Sequence, residues 1–304
     1  MPMPPRASVP KASTYWSTST AISAITAWAS LSAVPLQVNY LGFPGTLGAP
    51  CMDYLIADAV VIPPGEDEHY AERIVRLPGS YQANDDRRAI AAQASSRADC
   101  GLPAEGFVFC SFNGSYKFVP DMMALWLRLL GQVDGSVLWL LATNPQAMTN
   151  LRRAAQAAGI APERLVFASH MPLEQHLARL KLADIFLDSL PCNAHTTGSD
   201  ALWAGVPLLT CRGTAFSGRV GASLLQAMNL PELITENPAA YEALALALAR
   251  DPARLRGMRE NLEASRATAP LFDTARFTRH LENAFAAMWE RHQRGEAPAA
   301  FDVP

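Results

Sequence analysis

Leu187-Asp188-Ser189-Leu190-Pro191-Cys192-Asn193-Ala194-His195-Thr196-Thr197-Gly198-Ser199-Asp200 is a place where an apolar run passes through a turn straight into a helix start. Asp184 to Leu190 reads as a strand, Pro191 and Asn193 as turn residues, and a helix opens near Thr196 with Asp200 one turn in. A strand that feeds a helix N-terminus presents unpaired backbone N–H groups and the positive end of the helix dipole. Such a point suits a phosphate. His195 and the Thr196 and Thr197 hydroxyls stand there too, and Asp200 is placed to accept from ribose hydroxyls, so the pattern fits a nucleoside diphosphate. Thr-Thr before a helix serves equally as a plain N-cap, and Asp200 as a first-turn partner of the dipole. The segment alone leaves these alternatives open.

Working outward, strands and helices alternate from Gly106 onward. Strands are predicted at Phe107–Ser111, Val137–Ala142, Leu165–Ala168 and Val206–Thr210. Helices are predicted at Asp121–Leu130, Gln146–Ala158, Leu173–Lys181 and Ser217–Met228, then at Ala239–Arg250, Pro252–Ser265 and Thr274–Arg291. Short apolar strands between helices imply an α/β fold with a parallel sheet covered on both faces. Ligands bind such sheets outside the carboxyl ends of the strands. Asn113 and Lys117 follow the first of these strands, and His170 follows the third with His176 in the next helix. His195 to Asp200 follow the fourth, and Ser217 and Arg219 the fifth. Polar groups recurring at the same end of successive strands point to one cleft.

The 304 residues are half hydrophobic with a formal net charge of −3. There is no basic field to suggest nucleic acid, and no apolar run long enough to span a bilayer. Cys51, Cys100, Cys110, Cys192 and Cys211 are scattered without C-x-x-C spacing. That argues against a disulfide framework or a zinc site and for a reducing cytoplasm. Leu36–Leu41 alternates like a strand, residues 42–50 form a Gly/Pro loop, and Met52–Asp58 reads as a strand or a short helix. Ser, Thr and Ala dominate Ala12–Ala33 around Trp16 and Trp28, which reads as a disordered leader. Back-translation of this stretch, read two bases later, allows an apolar strand, an Asn-Gly turn and a basic stretch leading into Pro35-Leu36-Gln37-Val38. A frameshift ending near Val34 is therefore expected, with no designed fold before it.

Beyond these local signals, QVNYLGFPGTLGAPCMDYLIAD (37–58), FNGSYKFVPD (112–121), SVLWLL (136–141), LADIFLDSLPCNAHTTGSDALWAGVPLLT (182–210), SGRVGASLL (217–225) and the helix with Met288-Trp289-Glu290 resemble the catalytic region of the SPINDLY-like protein O-GlcNAc transferases. The resemblance covers residues 36–293. It implies a GT-B architecture: a leader at 1–35, a remnant of a truncated N-terminal lobe and linker at 36–105, a complete Rossmann-like lobe at 106–270, and a C-terminal helix and tail at 271–304. It also implies inverting, metal-independent transfer from the donor substrate UDP-GlcNAc to protein Ser/Thr hydroxyls in the cytoplasm, with no cofactor, no nucleic acid and no membrane. Acceptor proteins would be recruited by upstream tetratricopeptide repeats absent from this sequence.

By the same resemblance, Lys117 neutralises the diphosphate and His195, Thr196 and Thr197 form the phosphate-binding helix start. Asn113 lies with them, His176 lies against the uracil with Arg179 a turn on, and Asp200 takes the ribose. Leu41, Gly42 and Pro44 face the sugar, as does Cys192, which is not a nucleophile. Arg219 is expected in core or interface packing. Read without the resemblance, Lys117 is a solvated surface lysine and His176 a helix-surface histidine. Two positions depart from the pattern: Gly114 stands where the family often has an amide, and Leu173 where a lysine often stands. No residue is assigned as general base, and His69, His280 and His292 read as surface. A catalytically silent UDP-binding remnant and another nucleotide-sugar enzyme, such as a UDP-GlcNAc 2-epimerase, remain the alternatives.

Overall fold

The structure, a computed structural model, describes residues 35–93 and 95–304. The frameshift expectation for the first 33 residues lies outside them. Two parallel sheets organise the chain. The larger is built from β4 (Val108–Ser111), β5 (Val137–Leu141), β6 (Leu165–Ala168), β7 (Ile185–Leu187), β8 (Leu208–Cys211) and β9 (Ile234–Thr235), in the order β6-β5-β4-β7-β8-β9. The chain winds outward from β4 in one direction, then returns to β4's other side and winds outward again. This is the doubly wound order, and its reversal between β4 and β7 opens a crevice at their carboxyl ends.

Helices α1 (Pro120–Gln132), α2 (Pro145–Ala157), α3 (Leu173–Leu180), α4 (Thr196–Trp203), α5 (Val220–Ala227), α6 (Pro238–Ala249) and α7 (Pro252–Ser265) accompany this sheet. Several starts are written plainly in the sequence. Asn144, Asn237 and Asp251 cap α2, α6 and α7 with their side-chain oxygens, and each is followed by proline. The core between the layers holds Trp126, Trp139, Phe109, Phe186 and Tyr241, all essentially without solvent contact.

The smaller sheet runs β1-β2-β3-β10, with β1 (Val38–Asn39), β2 (Tyr54–Asp58), β3 (Arg73–Leu77) and β10 (Phe301–Asp302). The strand expected over Leu36–Leu41 shrinks to two residues, and Met52–Asp58 resolves as strand. Helix α8 (Thr274–Gln293), capped by Asp273, lays Ala284 and Met288 onto Tyr54, Ile56, Val75 and Leu77. The chain's last residues then add β10 beside β3, pairing Phe301 with Val75.

The two sheets share one apolar core, in which Leu55, Val61, Ile74 and Tyr81 pack with the residues of the larger sheet. Asp58 joins them through polar contacts. Its Oδ1 accepts from the Val60 and Val61 N–H groups, and its Oδ2 from the Tyr81 N–H at 2.8 Å and the Ser223 hydroxyl at 2.6 Å. Burial raises the pKa of this carboxyl. Arg219, expected in packing, forms a two-bond ion pair with Glu66 at 2.5 and 2.9 Å across the same join.

Candidate functional site at the sheet switch point

The crevice between β4 and β7 is where the sequence-predicted residues meet. Strand β7 ends at Leu187, earlier than the Leu190 expected, because Asp188 turns the chain with its own side chain. Asp188 Oδ1 accepts from the Ser189 N–H at 2.8 Å and the Ala194 N–H at 2.5 Å, while Oδ2 accepts from the Thr210 hydroxyl at 2.6 Å. The Tyr241 hydroxyl donates to the Asp188 carbonyl at 3.0 Å. Burial outweighs these bonds and raises the Asp188 carboxyl to about 6. Gly221 is required beside it, since a Cβ there would overlap Asp188 Oδ2 and come within 2.5 Å of Thr210 Oγ1. The loop 189–194, which includes a cis Leu190–Pro191 bond, is thereby held as one piece. Asn193 completes it by donating to the Ser189 carbonyl and accepting from the Gly221 N–H.

Residues after β4 grip this loop. Asn113 is buried, donates to the Ser189 hydroxyl at 3.1 Å and accepts from the Thr197 hydroxyl at 2.6 Å. Lys117 reaches over from a single 3-10 turn, and its Nζ donates to the Asn193 carbonyl at 2.6 Å. Lys117 is therefore directed into the crevice rather than into solvent. Asn113 and the Thr197 hydroxyl spend their polar groups on each other, so they shape the crevice from within.

Helix α4 begins here without a side-chain cap. His195 occupies the N-cap position and makes no capping bond, while Thr196 and Thr197 lie inside the helix. Plain capping by Thr-Thr is thus not what the structure contains, and the first-turn N–H groups stay directed at the crevice. His195 Nε2 is buried without a partner. Burial, then the nearby Lys117 ammonium, lowers its pKa to about 3, so the ring is neutral at physiological pH.

His176 is half-buried on α3, its ring edge-on to Phe112 at 5.1 Å. Arg179 donates to His176 Nδ1 at 3.1 Å and to the Ser169 carbonyl at 2.8 Å, beneath the Phe112 and Trp139 rings. Arg179, expected among the ligand-binding residues, is placed under the site, where it fixes the tautomer of His176. Burial, then Arg179, lowers the His176 pKa to about 4. Asp200 is buried at the end of α4's first turn and pairs with Arg88 at 2.5 Å, a residue that carries no sequence signal.

Leu41, Gly42 and Pro44 lie on a loop of the smaller unit, half exposed at Leu41, whose φ of 58° is rare for a side chain of its size. Asn39 Nδ2 and Glu72 tether that loop at Gly45, Thr46 and Leu47. Cys192 is half-buried, its carbonyl accepting from the Ser189 hydroxyl. At Gly114 a side chain would collide with the exposed Tyr116 ring, which folds back over it. Leu173 is 40% exposed, and His69 and His292 are exposed. A separate groove of about 890 Å³ between α1 and α2 is lined by Met123, Leu127, Ala154 and Ile160. It lacks the convergent polar groups that mark a nucleotide site.

A doubly wound sheet with a lysine, an uncapped helix start and a buried carboxylate at its switch point defines an α/β ligand-binding lobe of the Rossmann-like class. The chain belongs to glycosyl transferase family 41, whose model matches residues 23–93 and 90–281. It is 38% identical over 280 residues to the probable UDP-N-acetylglucosamine–peptide N-acetylglucosaminyltransferase SEC of Arabidopsis thaliana, covering 90% of this chain and 29% of that protein. A SPINDLY relative from Solanum lycopersicum is 32% identical over 87% of this chain and 29% of its own. Among solved structures, a mutant of the Thermobaculum terrenum O-GlcNAc transferase superposes with a TM-score of 0.76 at 35% identity, covering 86% of this chain and 50% of that one. The architecture is accordingly of the GT-B type. The chain spans less than a third of the length of these curated relatives.

Proposed function

We propose that this chain carries the donor site of a UDP-GlcNAc-dependent protein O-glycosyltransferase, which transfers the sugar with inversion to Ser or Thr hydroxyls. The observation that carries this reading is the convergence of Lys117 with the loop 189–194 and the open start of α4 at the switch point. The acceptor oxygen attacks the anomeric carbon, the bond from that carbon to the phosphate oxygen breaks, and UDP departs with the electron pair. Lys117 and the first-turn N–H groups of α4 offset the charge gathering on the leaving phosphate, without a metal ion or other cofactor. Asp200 takes the ribose and neutral His176 lies against the uracil. Leu41, Gly42, Pro44 and Cys192 flank the sugar. Protein acceptors recruited by upstream tetratricopeptide repeats, and a cytoplasmic setting in which the five free cysteines stay reduced, belong to the same proposal.

The groups gathered at the switch point are all on the donor side, which supports a second reading as well, in which this chain binds UDP without transferring sugar. Calorimetric titration with UDP tests the common part. Saturable binding, weakened roughly 10- to 100-fold by Lys117→Ala, is expected from loss of a charge-assisted contact. Absence of binding by the folded wild-type chain, or indifference to the substitution, refutes the donor site. Transfer to a Ser/Thr peptide then separates the two readings.

A further inference from the structure

Asp200 is met by a residue from outside the six-stranded unit. Arg88 lies in the stretch that joins the two sheets, and its guanidinium is buried against α4 with 8% of the side chain exposed. It stacks 5.1 Å from the Trp203 ring and 5.7 Å from the Phe272 ring. Its Nε donates to the Asp85 carbonyl at 3.1 Å, and Nη1 donates to Asp200 Oδ1 at 2.5 Å. The Trp203 indole N–H donates back to the Arg88 carbonyl at 3.1 Å. Asn84 ties the same strap: it accepts from the Ser199 hydroxyl and donates to the Leu271 carbonyl. Arg88 is thus fixed in place from its backbone to its fork.

Two polar atoms are left over. Arg88 Nη2 is buried and has no partner, and the ion pair engages only Oδ1 of the Asp200 carboxylate. An unpaired guanidinium donor inside a fold is costly, and such groups mark places where something else binds. One is a donor and the other an acceptor, carried on the two partners of a single ion pair. A phosphate is repelled by the carboxylate, and a cation by the guanidinium. A vicinal diol suits both, because a hydroxyl donates to the carboxylate while its oxygen accepts from the guanidinium.

We infer that Arg88 is a specificity-determining residue of this site, forming with Asp200 a donor–acceptor pair that reads the ribose diol of a nucleoside diphosphate. This rests on the UDP reading above and extends recognition to the strap between the two sheets.

The test is calorimetric titration of the 304-residue chain with UDP, 2′-deoxy-UDP and 3′-deoxy-UDP, for wild type, Arg88→Lys and Arg88→Met, each checked by thermal melting. Wild type is expected to prefer UDP over either analogue by at least about tenfold. Arg88→Met brings that ratio to within about threefold through weaker UDP binding, with the affinity for the deoxy analogues nearly unchanged. Equal wild-type affinity for all three ligands overturns the inference. So does a uniform loss across all three in Arg88→Met, which is what a purely structural role would produce. If Arg88→Met does not fold, the wild-type ratio and Arg88→Lys, which keeps the charge but not the fork, decide the matter. Absence of any UDP binding to folded wild type refutes the donor site itself, whereas UDP binding without diol preference refutes only the role of Arg88.

Discussion

Asp188→Asn separates the charge of the loop-holding carboxylate from its shape. Asparagine keeps an oxygen for the Ser189 and Ala194 N–H groups and turns its amide toward Thr210, so the bonds at all three positions have partners. What changes is titration. Asp188 moves from 3.8 unfolded to about 6 folded because it is buried. A shift of about 2 units corresponds to about 3 kcal/mol. The folded value is the higher one, so the protonated carboxyl contributes stability that is fully present below about pH 4 and is lost as pH rises through about 6. Urea unfolding of wild type and variant at pH 4 and pH 7 measures this directly. The stability difference should move in the variant's favour by about 2 kcal/mol between the two pH values, the rest of the effect lying below pH 4. Comparing the two proteins matters, since Asp200, also raised to about 6 by burial, adds a trend of the same sign and His176 and His195 add the opposite one. A difference that stays constant from pH 4 to pH 7 would refute the account of Asp188 as a buried, costly anion. Asp188→Ala is a different perturbation: it strands three buried donors at about 1–3 kcal/mol each, a large part of the roughly 5–15 kcal/mol that holds a domain together.

His176 is held neutral, with its pKa lowered to about 4, so the unfolded chain takes up a proton below about pH 6.5 that the folded chain refuses. His176→Asn should therefore flatten the loss of stability on acidification between about pH 6.5 and 4, read from urea midpoints across that range. Gly221→Ala places a methyl against Asp188 and Thr210, and about 1–3 kcal/mol of destabilisation is expected in denaturant unfolding. An unchanged midpoint would mean that the loop yields freely.

The larger sheet was legible because its strands are short apolar runs. Val137–Leu141 and Leu165–Ala168 leave no other reading once helices flank them. Asn144, Asn237 and Asp251 marked helix starts by a local rule that needs no tertiary context. The site was legible where it is contiguous, from Asp188 to Asp200, and where Lys117 follows a strand end. The pairs across long separations were not. Arg88 and Asp200 stand 112 residues apart, and nothing around Arg88 distinguishes it from a solvated charge. Strand β3 was missed because Arg73 and Arg76 interrupt its apolar pattern; Arg76 is buried only because the Ile62 carbonyl and Asp67 satisfy it. Strand β10 is two residues without a periodic signal, and it exists because α8 delivers the chain to the edge of β3.

That return has a consequence for the order in which the protein is made. The face of β2 and β3 carrying Tyr54, Ile56, Val75 and Leu77 is covered by Ala284 and Met288, and the edge of β3 by Phe301 and Asp302. A ribosome working at about 5–20 residues per second emits those strands roughly ten to forty seconds before their cover. The six-stranded unit is made in between, and Leu55, Val61, Ile74 and Tyr81 of the smaller unit pack into its core. Until that cover is made, the face of β2 and β3 stays apolar and open and the outer edge of β3 lacks its partner, the kind of transient surface that makes a nascent chain prone to aggregate.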